Sequence, residues 1–438
     1  MVVGDLATNV DVLVLGAGPG GYLAALRAAQ LGQEVVLVDP APPGGGWCSG
    51  GIPADALLGA ASQFWQMAHG AQPGITVTKP AFDWSQLQTW KNNQVEKVAA
   101  EIKHQLDQHQ VEVVSGRGWF LAENEARVES EYEAKRYLFD HALIAVGCDA
   151  APWPSLSFEK KRVLTPTQAL ALTELPATLT IIGADYLAAE LATLFVKLGV
   201  AVQVWLPAGQ RLLPEFDAAA GEVVQARLRE MEVKIADLTG TLREDLSGLV
   251  VVSAGLTPRT INLGLDKAKV TTNPNGFIQV NDRQQTSNPA IYAAGDVTGG
   301  PFLAHVAGKQ GKVAAENIAG KLAQFAPQAI PRVARTDPEV ATVGLTVAEA
   351  ENIGYHLSRF TFHVSPSTRF VEVVAEQESE VLLGVTVVGP QAGILIGEAA
   401  LALEMGATLT DLAETLHPGP GLGEGLTRAA EAALKNET

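Results

Sequence analysis

Two glycine loops and a small set of thiols, carboxylates and histidines supply the residues able to do chemistry. The first loop is Gly16-Ala17-Gly18-Pro19-Gly20-Gly21, between the apolar run DVLVL and the small-residue stretch YLAALRAAQLG. Its G-x-G-x-x-G spacing predicts dinucleotide binding: Gly16 permits a tight turn, Gly18 lets a pyrophosphate approach the backbone, and Gly21 allows close helix packing. A helix starting there offers amide donors and a partial positive charge to phosphates. Asp39 closes the next apolar run, EVVLVD, and is placed to accept hydrogen bonds from ribose hydroxyls. Strand, loop, helix, strand and acid occur in order, so a glycine turn that binds nothing is a poor account.

The second loop, Gly183-Ala184-Asp185-Tyr186-Leu187-Ala188, lies between LTII and AVQVWL and reads as a duplicated unit. Asp185 takes the second glycine position and Ala188 the third, and Leu206 ends the strand where an acid should hold the ribose. A carboxylate about 4 Å from a phosphate charge repels it by roughly 4 kcal/mol at an effective dielectric of about 20. No arginine pair replaces the acid to hold a 2′-phosphate. NAD(P) is therefore not expected to bind, and the unit reads as one kept for packing. The two cysteines, Cys48 and Cys148, have the look of reduced thiols, and no metal-ligand spacing is present.

The elements around these residues follow from composition and pattern. A chain of 438 residues is too long for one core. No stretch is long and apolar enough to span a membrane, and MVVGDLATN lacks the layout of a secretory signal, so a cytoplasmic location is expected. A net charge of −17 argues against nucleic-acid partners. Periodicity predicts a helix over Phe82–His109, a strand over Val111–Val114, a turn at Gly116-Arg117-Gly118 and a strand over Tyr137–Val146. Ala151-Pro152-Trp153-Pro154 marks a domain boundary. Short strands over Gly276–Asp296 and a helix over Pro301–Gly311 follow, and from Pro331 short strands and helices alternate.

Taken together, GAGPGGYLAALRAAQLG, IPADALL, AVGCD, AAGDVTGGPFLAHVAG and TDPEVATVGLT resemble the class I pyridine nucleotide–disulfide oxidoreductases, the dihydrolipoamide dehydrogenases in particular. The resemblance implies an α/β chain of two Rossmann-like domains and a C-terminal α+β dimerisation domain. It implies FAD binding by residues 1–150 and 270–330, a degenerate NAD(P)-type domain over 151–269, and a homodimer joined through 331–438. FAD would be held by Gly16, Gly18 and Gly21 at its pyrophosphate and by Asp39 at its adenosine ribose. Gly118 would lie near the adenine, Asp296 on the ribityl chain, and Ala304 and His305 at the pyrimidine edge, with Gly147 of AVGCD also at the cofactor.

The catalytic positions depart from the family. Anchored on Ile52-Pro53, its two cysteines fall on Gly46 and Gly51, and Cys48 stands between them. Cys48 is either a packed helix-start residue or a thiol against the flavin. The family's catalytic histidine position is Gly419; His417 matches the other histidine, and Glu424 keeps its place without an imidazole to orient. The family's lysine after I-P-S is Asp55, opposite the acid matching Glu190. Two carboxylates in one partly buried place would raise one pKa and supply a proton donor; otherwise they point apart and bond elsewhere. Tyr186 matches a residue that covers the nicotinamide pocket in some members, and here it is expected to occlude or pack. These losses imply a flavoprotein with a binding, regulatory or assembly role toward a protein partner. The alternative is an oxidoreductase that reduces a quinone or another small planar acceptor, and low-level chemistry would then fall to Asp55, Glu190, Glu424 or Cys48.

Overall fold

The computed structural model describes residues 7–70, 74–154, 156–238, 248–365 and 368–435. Residues 1–6, most of the stretch read for a signal, lie outside these. The chain divides into two compact units, the first made of Met1–Ala56, Gln86–Ala151 and Gly255–Ala326. Its sheet contains β1 (Thr8–Leu15), β2 (Val35–Asp39), β3 (Glu112–Ala122), β4 (Glu125–Ser130), β5 (Ala134–Ile144) and β13 (Ile291–Ala293). Strands β2, β1, β5 and β13 pair in parallel, and β2 pairs with the start of β3. From Val12 to Leu15 both faces of β1 are covered, so that part reads as a continuous apolar run. Val12 and Val14 face α1 (Pro19–Gln30) and α7 (Ala304–Ile318), and Leu13 and Leu15 face the opposite core with Phe120, Val128 and Tyr137.

Gly116-Arg117-Gly118 is not the turn that its glycines suggest. It continues β3, which pairs with β2 through Ser115 and with β4 from Gly116 onward. Gly116 lies so near the partner strand that a Cβ would stand 2.4 Å from Glu129 O. The glycines let one strand pass between two pairings. Two other readings are corrected. Only Ile291–Ala293 of the 276–296 stretch is a strand, and the helix expected from Pro301 starts at Ala304. The π-helical turn Trp47–Gly51 leads into α2 (Ile52–His69), and α3 (Trp84–Gln108) precedes β3. Strand β6 (Cys148–Ala150) pairs antiparallel with β12 (Leu256–Pro258), which brings residues from 255 onward into this unit.

The second unit is made of Leu57–Ser85, Pro152–Ala254 and Pro327–Thr438. Its parallel sheet runs β10 (Lys234–Asp237), β9 (Ala201–Leu206), β8 (Thr178–Gly183), β11 (Leu249–Ser253) and β7 (Val163–Leu164). It is joined by α4 (Pro166–Leu170), α5 (Tyr186–Lys197) and α6 (Ala218–Glu230). Helix α5 is buried from Ala188 to Lys197, as its nearly uniform apolar sequence requires. The antiparallel sheet of the same unit has the order β14 (Arg332–Ala334), β15 (Val340–Gly344), β18 (Leu382–Val388), β17 (Arg369–Glu376) and β16 (Leu357–Ser365). Helix α8 (Val347–Ile353) follows β15. Helices α9 (Ala392–Glu404), α10 (Leu409–Glu414) and α11 (Glu424–Lys435) share the core of that sheet through Ile396, Leu412 and Leu426. No described helix is long and apolar enough to cross a membrane.

Candidate functional site

The loop of the first unit is shaped for close approach. Gly16 sits at φ +101°, where a Cβ would stand 2.3 Å from Ala145 O. A Cβ on Gly21 would stand 1.7 Å from Gly16 O. Gly18 is the N-cap of α1, has no side-chain capping bond, and opens onto space with nothing within 4 Å of a Cβ. The first amides of α1 therefore lack the side-chain acceptor that usually serves a helix start. Asp39 braces the loop: Ala17 N donates to its Oδ2 at 2.7 Å and Ala41 N to its Oδ1 at 2.8 Å. A carboxylate has about four acceptor sites, so it keeps capacity for hydroxyl donors.

The remaining cofactor candidates of this unit are placed individually. Gly147 has φ +72° and open space at its Cβ position. Asp296 opens a 3-10 turn capped by Gly295, whose N–H donates to the buried Gln310 Oε1 at 2.8 Å. Burial pushes the Asp296 carboxyl up, and the Arg259 charge pulls it back. The Cys148 thiol donates to Asp296 O at 3.3 Å, and burial first, then the Asp296 charge, pushes its pKa up to about 12. Such a thiol is inert near neutral pH. Ala304 and His305 form the start of α7. Gly118 has a packing reason of its own, since a Cβ there would stand 2.6 Å from Leu15 Cδ2.

The corresponding place in the second unit is built differently. Asp185 is the N-cap of α5, and its Oδ1 accepts from Ala188 N at 2.9 Å. Ser253 Oγ, at the end of β11, lies 2.8 Å from both carboxylate oxygens. The carboxylate thus turns onto the Ala188 amide of its own helix and is held there by Ser253. Burial raises its pKa to about 6 against the lowering effect of these bonds. A second carboxylate lies beside it. Tyr186 N donates to Glu215 Oε1 at 3.4 Å, and Glu215 is pushed up by burial. Neither Glu215 nor Ser253 was visible as a partner of the loop in sequence, because nothing local marks a residue that meets it only across the sheet.

The stretch expected to align with the family's cysteines forms the π-helical turn Trp47–Gly51. The Trp47 ring lies over Gly51, where a Cβ would stand 3.0 Å from Trp47 Cε3, whereas Gly46 faces open space. Trp47 nevertheless stays 41% exposed, so it covers Gly51 without being enclosed. Burial raises the Cys48 thiol pKa, which disfavours a reactive thiolate. Asp55 is exposed in the first turn of α2, which corrects the partly buried setting expected for it. Glu190 is buried on α5, and its Oε1 accepts from Arg335 N at 2.8 Å, the bonded-elsewhere alternative for that oxygen.

Near the C-terminus, a Cβ on Gly419 would stand 2.7 Å from Glu424 Oε2. Glu424 fills the space beside that glycine and accepts from Arg428 Nε at 3.0 Å and Nη2 at 2.8 Å. It pairs with an arginine one helical turn on, where it has no imidazole. His417 is held apart from it, with Nδ1 2.7 Å from Thr427 Oγ1 and Nε2 2.7 Å from Glu398 Oε1.

Residues 10–311 match the pyridine nucleotide-disulphide oxidoreductase family, and residues 330–430 match its dimerisation domain. The chain belongs to the pyridine nucleotide–disulphide oxidoreductases. It is 35% identical over 463 residues to a dihydrolipoyl dehydrogenase of Geobacillus stearothermophilus, covering 99% of this chain and 98% of that one. A Thermus scotoductus dihydrolipoyl dehydrogenase is 39% identical over 460 residues, covering 97% of each. Among solved structures, LpdA from Mycobacterium tuberculosis superposes with a TM-score of 0.88 at 24% identity, over 97% of this chain and 99% of that one. The flavoprotein disulfide reductase RclA from Escherichia coli gives 0.85 at 20% identity, over 97% and 99%. The family's mixed α/β fold with its C-terminal dimerisation domain is thus the fold of this chain.

Proposed function

We propose that this protein is a homodimeric, FAD-binding, dihydrolipoamide dehydrogenase-like flavoprotein that carries out neither dithiol–disulfide exchange nor NAD(P)H oxidation. Its role is binding, regulatory or assembly. The observation that carries this reading is the contrast between the two helix starts: Gly18 open on α1, and Asp185 folded onto α5.

The fit to FAD is good on local grounds. The cradle around Gly16, Gly18 and Gly21 leaves room at Gly18 alone, the uncapped amides of α1 suit a pyrophosphate, and Asp39 keeps acceptor capacity for a ribose. Asp296, Gly147, Ala304 and His305 are the remaining candidates to hold the cofactor. Bound FAD would supply a ring able to take up two electrons. Exchange with a dithiol needs a cysteine pair, and Gly46 and Gly51 stand where the family places it. Beside Gly419 the Glu424 carboxylate is engaged by Arg428, and the glycine itself supplies no imidazole to act as a base.

Rapid mixing with NADH and with NADPH tests the reading. The flavin absorbance should persist with both, and prompt bleaching by either overturns the claim about the second unit. Purified protein that is colourless and takes up no FAD overturns the first.

A second reading has its own observation. Open space at Gly46 beside the partly exposed Trp47 ring suits a flat acceptor such as a quinone, stacked on the indole. Turnover of a quinone with an artificial electron donor, lost in Trp47→Ala, would favour it.

A further inference from the structure

The first unit gathers carboxylates around its glycine loop. Asp39 ends β2, Asp149 lies in β6, and Asp296 opens the 3-10 turn. A pyrophosphate brought among them adds charge of the same sign, so the loop amides need a nearby cation. Arg259 is in that place.

It follows Pro258, the last residue of β12, which the antiparallel pairing sets opposite Cys148. Its backbone N–H donates to Gly147 O at 3.1 Å. The guanidinium then turns back onto the same segment. Nε donates to Asp149 Oδ1 at 2.8 Å, Nη2 stands 2.7 Å from that oxygen, and Nη1 donates to Val146 O at 3.3 Å. Val146 is also a wall of the loop, because a Cβ on Gly16 would stand 2.8 Å from its nitrogen. The guanidinium and the glycine turn thus meet the same residue, Val146, one at its oxygen and the other at its nitrogen. Its charge acts on the Asp296 carboxyl, and the Asp39 carboxylate acts on the guanidinium. The side chain is 54% exposed, so it has open space in front of it as well as partners behind.

We propose that Arg259 is a binding residue for the pyrophosphate of FAD and that Asp149 is the positioning residue that holds it. The proposal rests on the FAD reading above. Arginine suits the task because its planar fork can keep a carboxylate on one edge and present the other edge to a phosphate. It was not visible in the sequence, where Arg259 is 113 residues from the strand end that it touches.

The test is FAD titration of deflavinated protein, followed by quenching of flavin fluorescence at low and high salt. Arg259→Met should weaken FAD binding at least tenfold at low salt and flatten its salt dependence, since a screened attraction has been removed. Arg259→Lys should keep most of the salt dependence, and Asp149→Asn should weaken binding by a smaller factor. Wild type and Arg259→Met binding FAD equally well, with the same salt dependence, overturns the role of Arg259. A Lys variant as weak and as salt-insensitive as the Met variant overturns the role of its charge. Wild type taking up no FAD at any salt overturns the underlying FAD reading, and this one with it. Should Arg259→Met not fold by circular dichroism, the Lys and Asp149→Asn variants decide alone.

Discussion

The two βαβ units begin with the same order of elements and end with opposite helix starts. In the first, α1 starts at Gly18 with bare amides and empty space before them. In the second, α5 starts at Asp185, whose carboxylate accepts from Ala188 N and is fastened by Ser253. A helix N-terminus attracts one anion well, and the same dipole serves a side chain or a ligand. In the second unit the anion comes from the chain itself and satisfies the Ala188 amide. The same strand–turn–helix frame thus accommodates either an open helix start or one capped by its own carboxylate.

The largest effect should come from giving the first unit the feature of the second. Gly18→Asp meets no steric barrier, since φ is −66° and nothing lies within 4 Å of its Cβ position. Asp is also a favoured N-cap, so the fold should hold. The new carboxylate should cost about 4 kcal/mol of FAD affinity, roughly a thousandfold. Titration with FAD measures this, and a loss below tenfold breaks the comparison.

Next is the pH dependence of stability set by Asp185. Its pKa is raised in the folded protein, from 3.8 to about 6. Between those values the folded state holds the proton more tightly, so stability from this group is full below about pH 4 and lost as pH rises through 6. The difference is at most roughly 3 kcal/mol. Glu215 and Asp296 are shifted in the same direction, so urea unfolding should be compared in wild type and Asp185→Asn at pH 4.5 and pH 7. The amide keeps the acceptor for Ala188 N and cannot ionise. A variant with the wild-type pH dependence would show that Asp185 is not its source.

A smaller change is expected from Asp185→Gly. Removing the internal anion should raise affinity for NADH about tenfold, measured by calorimetry, and no further. Glu215 still stands at the α5 start, and Leu206 still ends the strand that lacks a ribose acceptor. Nicotinamide dinucleotide binding as tight as an intact site would mean that Asp185 alone closes the unit.

The smallest effect separates two glycines of the π-helical turn. Gly51→Ala brings a Cβ to 3.0 Å from the Trp47 ring and should displace it, at a stability cost below about 1 kcal/mol. Gly46→Ala, facing open space, should leave the indole where it is. Tryptophan emission, referred to a Trp47→Phe control, distinguishes them, and equal spectra for both variants would refute the packing of Trp47 on Gly51.

Much of the fold was legible because its signals are local. Gly16 needs a positive φ and Gly21 a close helix contact, and each requirement is met within one strand–turn–helix segment. The helix at Trp84–Gln108 and the strand ending at Ile144 follow their apolar periods. Gly116-Arg117-Gly118 misled because a strand that changes partners uses the same glycines as a turn. Asp55 and Glu190 carry no local sign of their settings: Asp55 is exposed, and Glu190 is bonded to Arg335 N, 145 residues along the chain.

The sequence alone determined that two βαβ units exist, that one keeps its glycines, and that glycine stands on both sides of Cys48 at Gly46 and Gly51. It also carried the carboxylate at Asp185, but as a repelling charge and not as a cap. The tertiary structure decided where that charge points, through a hydroxyl 68 residues away, and which cation stands by the first loop. Backbone constraints are written into neighbouring residues, whereas the partner of a buried charge is chosen by packing among segments far apart in the chain.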